Sequence, residues 1–150
     1  MHDSNPPVYS SSVISYNIKD ASSGWTALSD LQHARYQPAC TTGFFEDQFG
    51  IFVTSGTPYS EDPEEDSVEF YIVEADTWVF LNPLQEKRIG HNLFEVDGKL
   101  MVAGGGQLST ELLEGTDWVT CLDLKERRWS SAGVNVPNGV FHCLEEEIEK

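Results

Sequence analysis

The sequence predicts an all-β fold built of four-stranded antiparallel sheets, on three observations. Short stretches rich in Val, Ile, Phe and Tyr alternate with turn-forming Gly, Asn, Asp and Ser along most of the chain. Two apolar stretches, 50–56 and 100–105, end in serine–glycine or glycine–glycine. Trp25, Trp78 and Trp129 lie 53 and 51 residues apart. Near-equal spacing of this kind indicates a repeat of about 50 residues in which each copy forms one sheet.

The strands and turns can be assigned in order along the chain. Residues 1–12 contain two adjacent prolines and predict a loop or a frayed end. We expect strands at 13–18 and 25–28, two more within 44–54 around a turn near Asp47-Gln48, and further strands at 68–73 and 77–81. The unit from Lys87 to Trp129 has an apolar strand, a turn at Asp97-Gly98, a second apolar strand, a polar loop at 107–116 and a third strand. Residues 135–150 predict the start of a further strand or an acidic tail.

Agreement at other positions divides the chain into repeat units. A valine stands three residues before a tyrosine or leucine that precedes each tryptophan: Val13 and Tyr16, Val68 and Tyr71, Val119 and Leu122. Arg35 and Arg88 are 53 residues apart. The chain therefore divides into a half unit at 13–34 and two full units at 35–84 and 85–134.

Stacking of the units explains why the pattern takes this form. Short strands in a single sheet bury too little apolar surface, and stacking sheets around a ring buries both faces of each. Inner strands then become continuously apolar, as 50–53 and 100–103 are. We expect each tryptophan to lie between neighbouring units.

This pattern resembles kelch repeats, the units of about 50 residues that form the blades of kelch β-propellers. The residues that match best are Gly104-Gly105, Leu122-Asp123 and Trp129. Ser55-Gly56, Tyr71-Ile72 and Trp78 match with departures, since serine replaces one glycine and isoleucine the aspartate. Tyr16-Asn17 and Trp25 supply the last half of a repeat, and the resemblance covers roughly 13–143. It implies kelch-type blades in an incomplete ring.

The number of blades leaves three hypotheses about assembly. The chain contains fewer than three blades, whereas propellers close with four to eight. It is a fragment or truncated gene product, or it completes a ring with other chains, or it packs as an open stack against another partner. A homodimer would supply nearly six blades.

Charge and composition narrow the classes of partner. The net charge of −16 repels phosphate backbones and disfavours nucleic acid. It favours a basic partner, although solubility is an equally simple explanation. No apolar run is long enough to span a bilayer, and the N-terminus lacks the features of a signal peptide. Three widely spaced cysteines indicate reduced thiols and a cytoplasmic protein.

Motifs for catalysis or cofactor binding are not evident, and we expect no cofactor, metal site or catalytic residue. The stretch 104–109 has no following lysine and does not fit a phosphate-binding loop. The acidic loop 61–66 lacks the ligand pattern of a calcium loop and predicts a solvated loop. His91 and His142 align and predict strand residues. A remnant of a propeller enzyme similar to galactose oxidase is the alternative.

The resemblance implies a non-enzymatic protein-interaction module. Its binding loops would be 57–66, 107–116 and the segments that end at Arg35 and Arg88. In kelch proteins similar to ubiquitin-ligase adaptors, an arginine at the start of a blade contacts acidic peptides, and Arg35 and Arg88 match that position. The alternative is that both arginines pair with acidic side chains of this chain. A fragment without independent function is a further alternative.

Overall fold

The computed structural model describes residues 9–56, 66–109 and 112–136. Their strands form antiparallel sheets, and a short 3-10 helix at Ala21–Ser23 lies between the first two strands. The predicted all-β fold with four-stranded sheets is therefore confirmed. No helix in this part of the chain is long and apolar enough to cross a membrane.

The first sheet has two strands, β1 (Val13–Tyr16) and β2 (Trp25–Leu28). Asp20 accepts a hydrogen bond from the backbone N–H of Ser22 and so caps the helix between them. Gly24, with φ of +68°, then turns the chain into β2. The strand predicted at 25–28 is confirmed, and the first strand ends two residues earlier than predicted.

The second sheet contains β3 (Ala39–Phe45), β4 (Gln48–Thr54), β5 (Val68–Ile72) and β6 (Thr77–Leu81), in the order β3-β4-β5-β6. Glu46 and Asp47 both have positive φ, as the tight turn between twisted antiparallel strands requires. This turn lies one residue before the predicted one. The strand predicted from Phe44 begins five residues earlier, because the whole of β3 pairs with β4 from Ala39 opposite Thr54.

The third sheet contains β7 (Asn92–Val96), β8 (Lys99–Ala103), β11 (Trp118–Asp123) and β12 (Arg128–Asn135), in the order β12-β11-β8-β7. The predicted turn at Asp97-Gly98 is confirmed, with positive φ at both residues. The loop predicted at 107–116 is wrong. The hairpin of β9 (Gly106–Ser109) and β10 (Leu112–Gly115) occupies most of it and satisfies its backbone groups by pairing.

Two apolar clusters hold the sheets together. Val53, Tyr71 and Trp78 pack against partly buried side chains of the first sheet and its connection, Val13, Leu28 and Leu31. The larger cluster joins the second and third sheets: Phe45, Phe52, Val68, Phe70, Leu84, Leu93, Leu100, Val102, Leu122, Leu124 and Trp129. The sheets thus stack through their faces, as blades do.

The described residues form two four-stranded sheets and one two-stranded sheet. Residues 1–8, 57–65, 110–111 and 137–150 lie outside the described residues, and they include most of the predicted acidic loop and tail. The division into units at residues 13, 35, 85 and 135 stays a prediction.

Candidate functional site

Tryptophans join each connecting segment to the sheet that follows it. The Trp78 indole Nε1 donates a hydrogen bond to the carbonyl oxygen of Ser29 at 2.8 Å. The Trp129 indole Nε1 donates to the carbonyl oxygen of Asn82 at 3.0 Å. Both carbonyls belong to the segment that enters the unit, so Trp78 and Trp129 lie between neighbouring sheets as expected. Trp25 does not, since it is 67% exposed. These segments bring Arg35 and Arg88 into place.

The entering segment of the second sheet surrounds a buried carboxylate. Glu69 lies on β5 with no exposed surface. One of its carboxylate oxygens accepts a hydrogen bond from the backbone N–H of Gln32 at 2.7 Å. The other accepts from Arg35 Nη2 at 2.7 Å and from the backbone N–H of His33 at 3.3 Å. Glu69 therefore holds the segment and Arg35 together.

Backbone carbonyls bind the rest of the Arg35 guanidinium. Nη1 donates to the carbonyl oxygens of Ser55 at 2.8 Å and Ser67 at 3.3 Å, and Nη2 donates to the Ser67 hydroxyl at 2.7 Å. Arg35 is buried, and its own backbone N–H and C=O pair with Ser10. Its charge is matched by Glu69, as a buried charge requires.

The Arg88 guanidinium occupies the same position in the third sheet. Its Nη1 donates to the carbonyl oxygens of Gly104 at 3.3 Å and Trp118 at 2.9 Å. By the strand registers, these residues correspond to Ser55 and Ser67. Arg88 is 2% exposed. The carbonyl cradle is therefore repeated in both sheets.

The Glu69 carboxylate of the second sheet is not repeated at the corresponding position of the third sheet. Glu69 pairs across the strands with Phe80, and the corresponding pair in the third sheet is Thr120 and Ser131. Within the described part of the chain, no carboxylate forms an ion pair with Arg88. Small side chains thus replace a glutamate and a phenylalanine, and a cavity of about 360 Å³ lies beside Arg88.

Burial disfavours the charged form of the Arg88 guanidinium. Desolvation lowers the pKa of its guanidinium, and the negative charge of Glu86 acts in the opposite direction. Glu86 lies in the wall of the cavity. The cavity therefore combines a buried cation with one acidic side chain.

The chain is similar in sequence to two kinds of kelch protein. No family model matches the chain. It is 32% identical to Kelch-like protein 41 of Mus musculus over 108 residues, which are 63% of this chain and 18% of that protein. It is 34% identical over 91 residues to an F-box/kelch-repeat protein of Arabidopsis thaliana, covering 60% of this chain and 23% of that protein. The chain thus spans about a fifth of the length of these relatives.

A solved structure has the same fold. The structure of YjhT superposes with a TM-score of 0.58 at 18% identity, over 91% of this chain and 54% of that one. This likeness concerns the fold, and it agrees with the repeated four-stranded sheets of the described residues.

The chain resembles kelch-repeat proteins in sequence over 60–63% of its own length. The described residues form about two and a half kelch blades, in agreement with the predicted fold class.

Both arginines that the kelch resemblance suggested for peptide binding are buried. Both terminal nitrogens of Arg35 bond to groups of this chain, and Nε does not. Arg35 therefore pairs with an acidic side chain of its own chain, which was the alternative to peptide binding. Arg88 faces a cavity instead. Peptide binding by either arginine stays a prediction, and their burial limits it to groups that can enter the blade.

Sequence reasoning missed Glu69 and Thr120, the residues that distinguish the two blades. Their signal was present as the residue that follows each repeated valine, Glu after Val68 and Thr after Val119. A glutamate in a β-prone stretch, two residues after Ser67, is expected from sequence to be exposed rather than buried.

His33 contacts Glu69 through its backbone N–H, whereas the two histidines that align in the repeat are His91 and His142. His91 directly precedes β7, and its Nε2 lies 2.7 Å from the Thr54 hydroxyl, so it joins neighbouring blades. His142 lies outside the described residues. In the part of the chain that the structure describes, no three His, Cys, Asp or Glu side chains form a metal-binding group.

Proposed function

We propose that the chain is a non-enzymatic protein-interaction module built from kelch blades. The observation that carries this proposal is the difference between equivalent tryptophans. Trp78 and Trp129 are each 8% exposed, whereas Trp25 is 67% exposed. Because the first two are covered by the preceding unit, the sheet that carries Trp25 presents a surface of the kind that kelch blades use for stacking.

This surface is the outer face of the first sheet, formed by Ile14, Tyr16 and Trp25. Ile14 is 59% and Tyr16 39% exposed. The Tyr16 and Trp25 rings lie 5.0 Å apart and tilted by 44°, nearly as Tyr71 and Trp78 do at 5.0 Å and 41°. The outer face is thus already arranged as a covered blade face is, and exposed apolar clusters of this kind mark interaction sites.

A second copy of the chain is the partner that we propose for the outer face. Blades pack on blades, so a surface shaped for a blade is matched by another kelch sheet. Such a homodimer brings further blades toward a closed ring. The net charge of −16 works against nucleic acid as a partner.

The likeness to kelch proteins suggests a more specific function. Substrate recognition in a ubiquitin-ligase adaptor is the narrower function that we propose on the kelch resemblance. A cytoplasmic location agrees with the absence of a disulfide between Cys40 and Cys121, the two cysteines among the described residues. The described residues supply no observation that favours the propeller-enzyme alternative.

Capture of one copy by another tests the proposal. The chain is immobilised, and a differently tagged copy is passed over it at several concentrations. We expect binding by the wild type and at least about a tenfold loss with Trp25→Asp on both copies, since a charge replaces an aromatic side chain that the second copy would cover. Phe44→Asp is the matched control, because Phe44 is 58% exposed on β3, away from the outer face. No capture, or equal capture by the Trp25 variant, would contradict the proposal.

A further inference from the structure

Each sheet contacts its neighbours through two different sides. Side chains alternate along a strand, so Tyr71 and Trp78 lie on the side of the second sheet that packs against Val13 of the first sheet. Phe52 lies on the other side, which packs against the third sheet. Both contacts therefore join the tryptophan side of one sheet to the opposite side of the sheet before it.

An indole hydrogen bond accompanies each of these contacts. The Trp78 indole donates to the carbonyl oxygen of Ser29, and the Trp129 indole donates to that of Asn82. Each acceptor directly follows the last strand of the preceding sheet. The next acceptor in this series belongs to the third sheet, and no further four-stranded sheet follows that one within the described ranges.

A repeated backbone hydrogen bond identifies this next acceptor. Two residues after each acceptor, a backbone N–H donates to the carbonyl oxygen that stands two residues before the repeated valine. These donors and their acceptors are Leu31 and Ser11 at 2.9 Å, Leu84 and Asp66 at 2.8 Å, and Val136 and Asp117 at 2.7 Å. Val134, two residues before Val136, therefore occupies the position of Ser29 and Asn82.

The third sheet has a side that is turned away from the second sheet, and we call it the far face. Trp129 packs against the second sheet, so Ser130 and Ala132 on the same strand belong to the far face. Ser130 is exposed, Ala132 is partly buried, and Val134 is 57% exposed. Val119 of β11 is only 5% exposed, so the accessible part of the far face lies on β12.

Trp25 has the chemical requirements that this strand can meet. Its ring is already paired with Tyr16 as Trp78 is with Tyr71, so binding needs no rearrangement of the two rings. Once covered, an indole N–H needs an acceptor. The far face offers the Val134 carbonyl at the position that the other two tryptophans use, beside an exposed valine side chain.

We propose that the outer face of the first sheet binds to the far face of the third sheet in a second copy, where the Trp25 indole N–H donates to the carbonyl oxygen of Val134. The contact rests on the proposed homodimer and specifies the surface that the second copy contributes. Two copies joined in this way have two identical contacts, outer face to far face in each direction, as twofold symmetry requires. Outer face against outer face would instead join two tryptophan sides, which neither contact within the chain does.

The test is capture between variants that each alter one face. Trp25→Asp changes the outer face, and Ser130→Glu places a carboxylate on the far face. Each variant loses both contacts with its own kind, so we expect its self-capture to be at least about tenfold weaker than that of the wild type. Immobilised Ser130→Glu and soluble Trp25→Asp keep one unaltered contact, and this mixed pair should bind at least about threefold more tightly than either variant binds itself.

Val134→Glu is a second variant of the far face, and circular dichroism checks that every variant keeps the β fold. Ser131→Glu is the matched control for Ser130→Glu, since it carries the same substitution to the other side of the same strand. Its self-capture should stay within about twofold of the wild type.

The possible results separate the contact from the homodimer. No self-capture by the wild type would contradict the homodimer and the contact together. Self-capture that Trp25→Asp abolishes but Ser130→Glu and Val134→Glu leave unchanged would overturn the role of the far face while the homodimer stands. A mixed pair that binds no better than the single variants would also overturn the contact.

Discussion

Glu69 and Thr120 occupy the same register position in neighbouring kelch blades, one opposite Phe80 and the other opposite Ser131. The first closes its blade with a buried ion pair, in which Arg35 Nη2 lies 2.7 Å from a Glu69 oxygen. The second leaves a cavity beside Arg88. Equivalent arginines therefore have different roles in a repeat whose backbone is otherwise maintained.

Removal of the Glu69 carboxylate should destabilise the chain strongly. Glu69→Ala leaves Arg35 buried without its counter-charge, and breaking a buried pair in this way costs about 3–5 kcal/mol. Denaturant unfolding measures the change. Glu74→Ala in the exposed turn after β5 is the control and should alter the free energy of unfolding by less than about 0.5 kcal/mol. Equal effects of the two substitutions would contradict the assigned role of Glu69.

Truncation of a covered tryptophan should cost far more than truncation of an exposed one. Trp78→Ala removes a large buried side chain and the hydrogen bond to Ser29, and we expect a loss of about 3–5 kcal/mol. Trp118 is 50% exposed, and Trp118→Ala should cost less than about 1.5 kcal/mol. Both values come from denaturant unfolding. A small effect of Trp78→Ala would show that this tryptophan does not join the blades.

Asp76 should make part of the free energy of unfolding depend on pH in the acidic range. The hydrogen bond from the Ser29 backbone N–H, and then that from the Tyr71 hydroxyl, lower the pKa of Asp76 below its usual 3.8. The unfolded chain then binds more protons than the folded chain, so this contribution is complete above the unfolded pKa and is lost as the pH falls through the folded one.

Asp76→Asn tests this dependence. The free energy of unfolding of the variant should fall less than that of the wild type between neutral pH and about pH 3. Glu74→Gln in the same turn serves as the control and should follow the wild type. An unchanged acid dependence in Asp76→Asn would remove Asp76 from this role.

Gly50 has no room for a side chain. A Cβ placed there would lie 2.0 Å from the carbonyl oxygen of Tyr71 and 2.4 Å from the Phe70 ring. Gly50→Ala must displace the β4–β5 backbone, and we expect a loss of about 3 kcal/mol or more. Gly98→Ala, where a Cβ meets no atom within 4 Å but φ is +74°, should cost about 1–2 kcal/mol. Thermal unfolding compares the two, and an equal cost would show that the strands can adjust.

The sequence predicted the blades because their pattern is local. Trp25, Trp78 and Trp129 pair across the strands with Tyr16, Tyr71 and Leu122, the residues whose spacing revealed the repeat. Short apolar runs and turns such as Asp97-Gly98 depend on near neighbours in the chain. The β9–β10 hairpin was missed, since its polar stretch has no alternation of apolar and polar residues that marks a strand.

The site was predicted less well because burial depends on contacts far apart in the chain. Arg35 and Arg88 were identified, but their exposure was not. Arg35 meets Glu69 across 34 residues, and the carbonyl of Trp118 lies 30 residues from Arg88. The difference between the blades arises from the residue after each repeated valine, Glu69 or Thr120. Only the strand registers show that this residue lies beside the arginine.

The solution mass of the purified chain, measured by light scattering behind a sizing column, tests the central claim most directly. If the outer face formed by Ile14, Tyr16 and Trp25 is a blade-stacking surface, the wild type elutes as a sharp dimer and Trp25→Asp as a folded monomer, while Phe44→Asp remains a dimer. A folded wild-type monomer over the whole concentration range, with Trp25 still exposed, would contradict the account.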